Sequence, residues 1–141
     1  MKKTIIFLLI IIIAILIVGI NYASYKFEHD IIMSENAEFE EFKDKEIYGL
    51  DIVTIINKAV DKNTKNEIPS DENGIFIQNE SNSIEIEIYM KDNETTYKME
   101  TFFNSGTDKF IKYYGHIKFK CSKIEYHEET GKIKYILFEQ L

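Results

Sequence analysis

The sequence predicts an α+β fold: an N-terminal transmembrane helix continuing into a stalk, then a short helix and a mainly antiparallel sheet of about five strands. Three observations carry that expectation. An uncharged apolar run fills residues 5–20. Beyond it, apolar residues recur at helical spacing as far as Asn63, and after Pro69 the period falls from three and four to two. Helices followed by strands give a sheet with one face on helix and the other wet.

Residues 4–23 make a 20-residue segment, which as a helix spans roughly 30 Å, the hydrocarbon thickness of a bilayer. A cleaved leader has a shorter apolar region and a small-x-small cleavage site. Here the nearest candidate, Asn21-Tyr22-Ala23, puts a polar residue at a small position, and no cysteine follows for lipid attachment. The run is also apolar on every side, unlike a helix packed into a soluble core. A retained anchor is therefore expected, with a cleaved leader as the alternative. Lys2 and Lys3 precede the run, and Lys26, Glu28, His29 and Asp30 follow it. That bias holds the N-terminus in the cytoplasm and sends the remainder outward, with Tyr22 and Tyr25 at the level of an aromatic belt. The expected divisions are 1–23 for the cytoplasmic tip and anchor, 24–48 for a helical stalk, and 49–141 for the exported domain.

Beyond residue 23 lie 118 residues, enough for one domain. They hold 15 lysines, no arginine and 24 carboxylates, a formal net charge of −9. So acidic a domain has no electrostatic reason to bind nucleic acid or an anionic lipid surface, and it lacks the arginine fork that clamps phosphate. Cys121, the single cysteine, cannot form an internal disulfide; in "HIKFKCSKI" it shares a strand face with Ile117 and Phe119, as a buried thiol. Asn79 and Asn93 head glycosylation sequons, which matter only in a eukaryotic secretory pathway.

Between residues 23 and 45 there is no glycine or proline, so the stalk reads as continuous helix, with Ser34 a place for a break and Gly49 its end. "GLDIVTIINKAVDKN" is the second helix, with Asp51 as its cap, Leu50 stapled to Ile55, and residues 52, 53, 55, 56, 59 and 60 as its buried stripe. "GIFIQN" and "SIEIEIYM" alternate strictly and suggest a hairpin turning at residues 80–82. "TTYKMETFF" follows another turn. "SGTDKFIKYYG" is a short helix presenting Phe110, Ile111 and Tyr114 to the core, and two strands joined by "EETG" close the chain, with Gly131 in the left-handed position.

No catalytic, cofactor or metal residues are assigned. His29, His116 and His127 have no metal-site spacing, and "YHEETG" places His127, Glu128 and Glu129 at a hairpin tip without a nucleophile. Asp61, Asn63 and Glu72 fall at calcium-loop positions 1, 3 and 12. Lys65, Asn66 and Pro69 occupy positions where a ligand, a glycine and a further ligand are required, so the loop is a polar connector. Glu85 and Glu87 share a strand face that reads as solvated.

An apolar N-terminal helix, a polar stalk and an antiparallel sheet resemble the plan of type IV pilins and pseudopilins. That resemblance implies apolar helices bundled in a filament core and coated by sheet domains. The chain departs from the family pattern in that Phe7 follows Ile6 instead of a glycine, and the first acidic residue is Glu28. Prepilin processing and glutamate-guided assembly are thus not implied. The blocks "EIYGLDIVTIINKAVDKN" and "FKCSKIEYHEETGKIKYILFEQ" are similar to those of small anchored proteins of low-GC Gram-positive bacteria, which implies no catalytic residue. The resulting expectation is a non-enzymatic, single-pass structural or accessory protein of a bacterial surface, pilus-like or secretion assembly. Its partners are membrane lipid and a homo- or hetero-oligomer made through the N-terminal helix. An anchored binding module or sensor, and an exported enzyme with a dispersed site, are the alternatives.

Overall fold

The computed structural model describes residues 2–141. Helix α1, Lys2–Glu40, runs without interruption. It passes Ser34 unbroken because no proline or glycine there removes a donor or loosens the backbone. It stops at Glu40, well before Gly49, and Asp44 at φ 58° turns the chain into strand β1, Glu46–Tyr48. The chain divides into two compact units, one ending at Glu35 and the other Asn36–Leu141. Residues 36–48, read from sequence as stalk, therefore lie in the unit that holds the sheet.

That unit continues with α2 (Gly49–Lys65), β2 (Glu85–Met90), β3 (Thr95–Lys98), α3 (Met99–Asn104), α4 (Thr107–Tyr114), β4 (Lys118–Tyr126) and β5 (Ile133–Gln140). The sheet order is β1-β4-β5-β2-β3, antiparallel throughout except for the parallel pair β5–β2. This is the expected α+β fold with a mainly antiparallel five-stranded sheet, but two of its strands differ from the sequence reading. "GIFIQN" forms only a single bridge, Ser70 to Phe76, and the 80–82 hairpin is absent. Its backbone is satisfied elsewhere: Ile77 N–H donates to the Pro69 carbonyl and Phe76 N–H to the Glu100 carboxylate. The edge strand β1 takes the fifth place. Within "TTYKMETFF", only the first four residues are strand; the rest is α3.

Burial alternates along β2, with Ile86, Ile88 and Met90 inside and Glu85, Glu87 and Tyr89 half-covered. Ile86 and Ile88 join Phe119 and Cys121 of β4 and Ile136 and Phe138 of β5 in one core with Ile52, Ile55, Ile56 and Ala59 of α2. All six stripe positions on α2 are buried, and Thr54, Asn57 and Asp61 are exposed. Phe110 ties α4 into that core, its ring centroid 4.6 Å from Phe102 and 6.0 Å from Phe119. The start of α2 differs from expectation. Asp51 sits in the first turn and reaches back to accept the Tyr48 N–H at 3.0 Å, while Leu50 is exposed and staples nothing. Gly49 is required there because a Cβ would overlap the Tyr114 carbonyl.

Candidate functional site

The first functional element is α1 itself. It is long and apolar enough to cross a membrane, and the side chains of residues 5–20 are all exposed. Apolar side chains all round a helix need a nonaqueous surrounding, either lipid or other helices. Asn21, at the outer end of the run, donates its amide to the Ile17 carbonyl one turn back at 2.8 Å, which lowers the cost of placing it near hydrocarbon.

The last turn of α1 is locked into the sheet unit. Asn36 is buried, donating Nδ2–H to the Gly131 carbonyl at 2.8 Å and accepting the Ile133 N–H on Oδ1 at 3.0 Å. Phe39 is 2% exposed, and Lys62 lies over its ring while facing Glu38 at 3.7 Å. The Tyr126 hydroxyl donates to Glu40 at 2.7 Å. Burial, and then that hydrogen bond to a carboxylate, push the Tyr126 phenol up to about 12.

The residues singled out from sequence are mostly structural. Asn63 of the calcium-like stretch is buried and bonded to the Ile84 backbone, and Lys65 pairs with Asp61 along α2. Glu85 accepts from Lys98 at 2.6 Å and Glu87 from the Tyr135 hydroxyl at 2.7 Å, both on the half-covered face. The bond to Glu85 raises the Lys98 pKa; burial, followed by the bond to Glu87, raises that of Tyr135. Cys121 is buried beside Phe119, and burial pushes its thiol up; Ile117, expected on the same face, is exposed. Asn79 spends its side-chain oxygen on the N–H groups of Ser81, Asn82 and Ser83, holding a tight loop. Asn93 donates to the Tyr97 hydroxyl. His29 stacks near Tyr25 on α1, and His116 is exposed after α4.

His127 is the exception among the histidines. It lies in the turn of the β4–β5 hairpin, as expected, but is 2% exposed, and its Nε2 lies 2.8 Å from the Ser83 carbonyl while Nδ1 has no protein partner. Glu128 and Glu129 beside it are exposed, and a shallow hollow of about 700 Å3 lies nearby between Glu80, Glu125 and Lys134. Among the described residues, no three His, Cys, Asp or Glu side chains converge in a metal-holding group.

A second hollow was not foreseen from the sequence. It measures about 330 Å3, and its walls include Val60, Ile68, Phe76 and Phe103, with Thr64 and Asn104 among its polar members. Glu100, in the first turn of α3 and 2% exposed, contributes its carboxyl group. Oε1 accepts the Phe76 N–H at 3.2 Å; Oε2 is buried with no protein partner. A carboxylate in such a setting is usually paired. No local motif marks the site, because residues 60, 76 and 100 meet only in the fold.

Comparisons with protein-family models, with curated proteins and with solved structures give no match to this chain.

Proposed function

We propose that this is a single-pass membrane protein, N-terminus cytoplasmic and sheet domain outside, serving without catalysis as a structural or accessory component of a bacterial surface assembly of pilus-like or secretion type. The observation that supports this most is the unbroken helix α1. Its first half is exposed apolar surface, and its last turn is hydrogen-bonded into the sheet unit through Asn36 and Glu40. Packing between apolar helices would then join subunits in the membrane. Intact mass of the membrane-extracted chain tests the anchoring. The expected mass retains residues 1–23 after a high-salt wash, since apolar burial is not screened by salt. A mature N-terminus at or beyond Ser24 refutes it.

A second reading, an anchored binding module, is favoured by one specific observation: the hollow over the unpaired Glu100 oxygen.

A further inference from the structure

We propose that the Glu100 hollow binds a primary ammonium group carried on a short apolar stem. The inference rests on the binding-module reading and is independent of assembly through α1.

The chemistry of the walls selects this ligand. Glu100 Oε2 is the one buried oxygen there without a partner, so the occupant must donate a hydrogen bond to it. An anion is refused by the carboxylate itself and by a domain carrying a formal charge of −9. A hard divalent cation wants six or more oxygens with several carboxylates among them, whereas Glu100 is the single carboxylate in the lining and Thr64, Ser70 and Asn104 add only neutral oxygens. A neutral apolar molecule would fill the space but leave the carboxylate buried and uncompensated. An ammonium offers three donors and a compact charge. One donor meets Oε2. Thr64 gives its own proton to the Val60 carbonyl and retains lone pairs for another. Asn104 uses its amide hydrogens on the carbonyls of Asn73 and Gly74, which leaves its Oδ1 as an acceptor. The aromatic rings of Phe76 and Phe103 suit both a cation and its apolar stem. Phe103 is 42% exposed, which gives the site an open mouth. The stem is short, because about 330 Å3 is at the lower end of small-molecule pockets. Lys98, which feels the Glu100 charge, gives its hydrogen bond to Glu85 and is not part of the walls.

Two sources share this chemistry: a free small amine and a lysine side chain of a peptide. The test is a titration of the full chain in detergent micelles, followed by amide NMR at Gly74, Phe76 and Phe103, with benzylammonium, benzyl alcohol and N-acetyl-lysine methylamide as probes. The expected result is saturable shifts at those amides for at least one ammonium probe, with benzyl alcohol about tenfold weaker or more, and Glu100→Gln weakening the ammonium by a similar factor. Saturation by benzylammonium alone assigns a free amine; saturation by the lysine probe assigns a peptide side chain. Equal binding of the alcohol, unchanged affinity in a folded Glu100→Gln variant, or no saturable shift with either ammonium overturns the proposal. Should Glu100→Gln fail to fold, Phe103→Ala at the mouth decides: weakened ammonium binding upholds the site and unchanged binding overturns it. None of these outcomes touches the anchoring, which the intact mass reads separately.

Discussion

Asn63 on α2 closes a two-bond ring on the backbone of Ile84: Nδ2 donates to the Ile84 carbonyl and Oδ1 accepts the Ile84 N–H, both at 2.8 Å. The side chain thus acts as a one-residue strand partner, fixing the entry to β2 against the last turns of α2. Both residues are buried, so removing the amide strands two backbone groups away from water. Asn63→Ala should cost about 2 kcal/mol or more in urea unfolding of residues 24–141. Asn57→Ala, exposed on the same helix, should change little. Equal effects would show that the ring does not hold β2 in solution.

Ile56 is fully buried at the centre of the α2 stripe, whereas Lys58 is only half-covered on the flank. Ile56→Asp should abolish folding of residues 24–141 by burying an unpaired charge. Lys58→Asp should cost less than about 0.5 kcal/mol. Similar midpoints in denaturant would put the wrong face of α2 on the sheet.

The stripe on α2 was readable because six apolar positions over nine residues fit a helix and no strand. "SIEIEIYM" was readable for the matching reason at period two. "GIFIQN" has the same alternation and is not a strand, because its N–H groups found the Glu100 carboxylate and the Pro69 carbonyl instead of a ladder. Strand β1 has three residues, too few for a period, and exists through its pairing with Lys118, Phe119 and Lys120. The parallel contact of β2 with β5 pairs residues fifty positions apart, and no local turn announces it. The Glu100 hollow escaped the same way: its walls come from α2, the 68–76 loop and α3.

Alkali offers a third test. The Tyr126 pKa of about 12 lies above its unfolded value near 10, so the phenol stabilises the fold fully below pH 10. That contribution is lost as the pH rises from about 10 to about 12, where the hydroxyl no longer donates to Glu40. Unfolding midpoints of residues 24–141 should fall through this window. Tyr126→Phe should start lower at neutral pH and fall less steeply, the paired lysines contributing equally to both proteins. Identical slopes would mean that the Tyr126–Glu40 bond is not made.

The most direct test of an assembly role is cysteine crosslinking through residues 5–20 of the full-length chain in native membranes. Cys121 is buried with a raised thiol pKa, so it leaves the background quiet. Ala14 and Gly19 are the only small residues in the run, and their five-residue offset does not suit a tight helix pair. Contacts should therefore come from a bundle in which isoleucines interlock. The account predicts crosslinks to a protein partner with helical periodicity along the run, and impaired assembly when it is replaced by polyleucine of equal length. Absence of crosslinks at every position, together with full function of the polyleucine protein, would contradict it and leave α1 a simple tether.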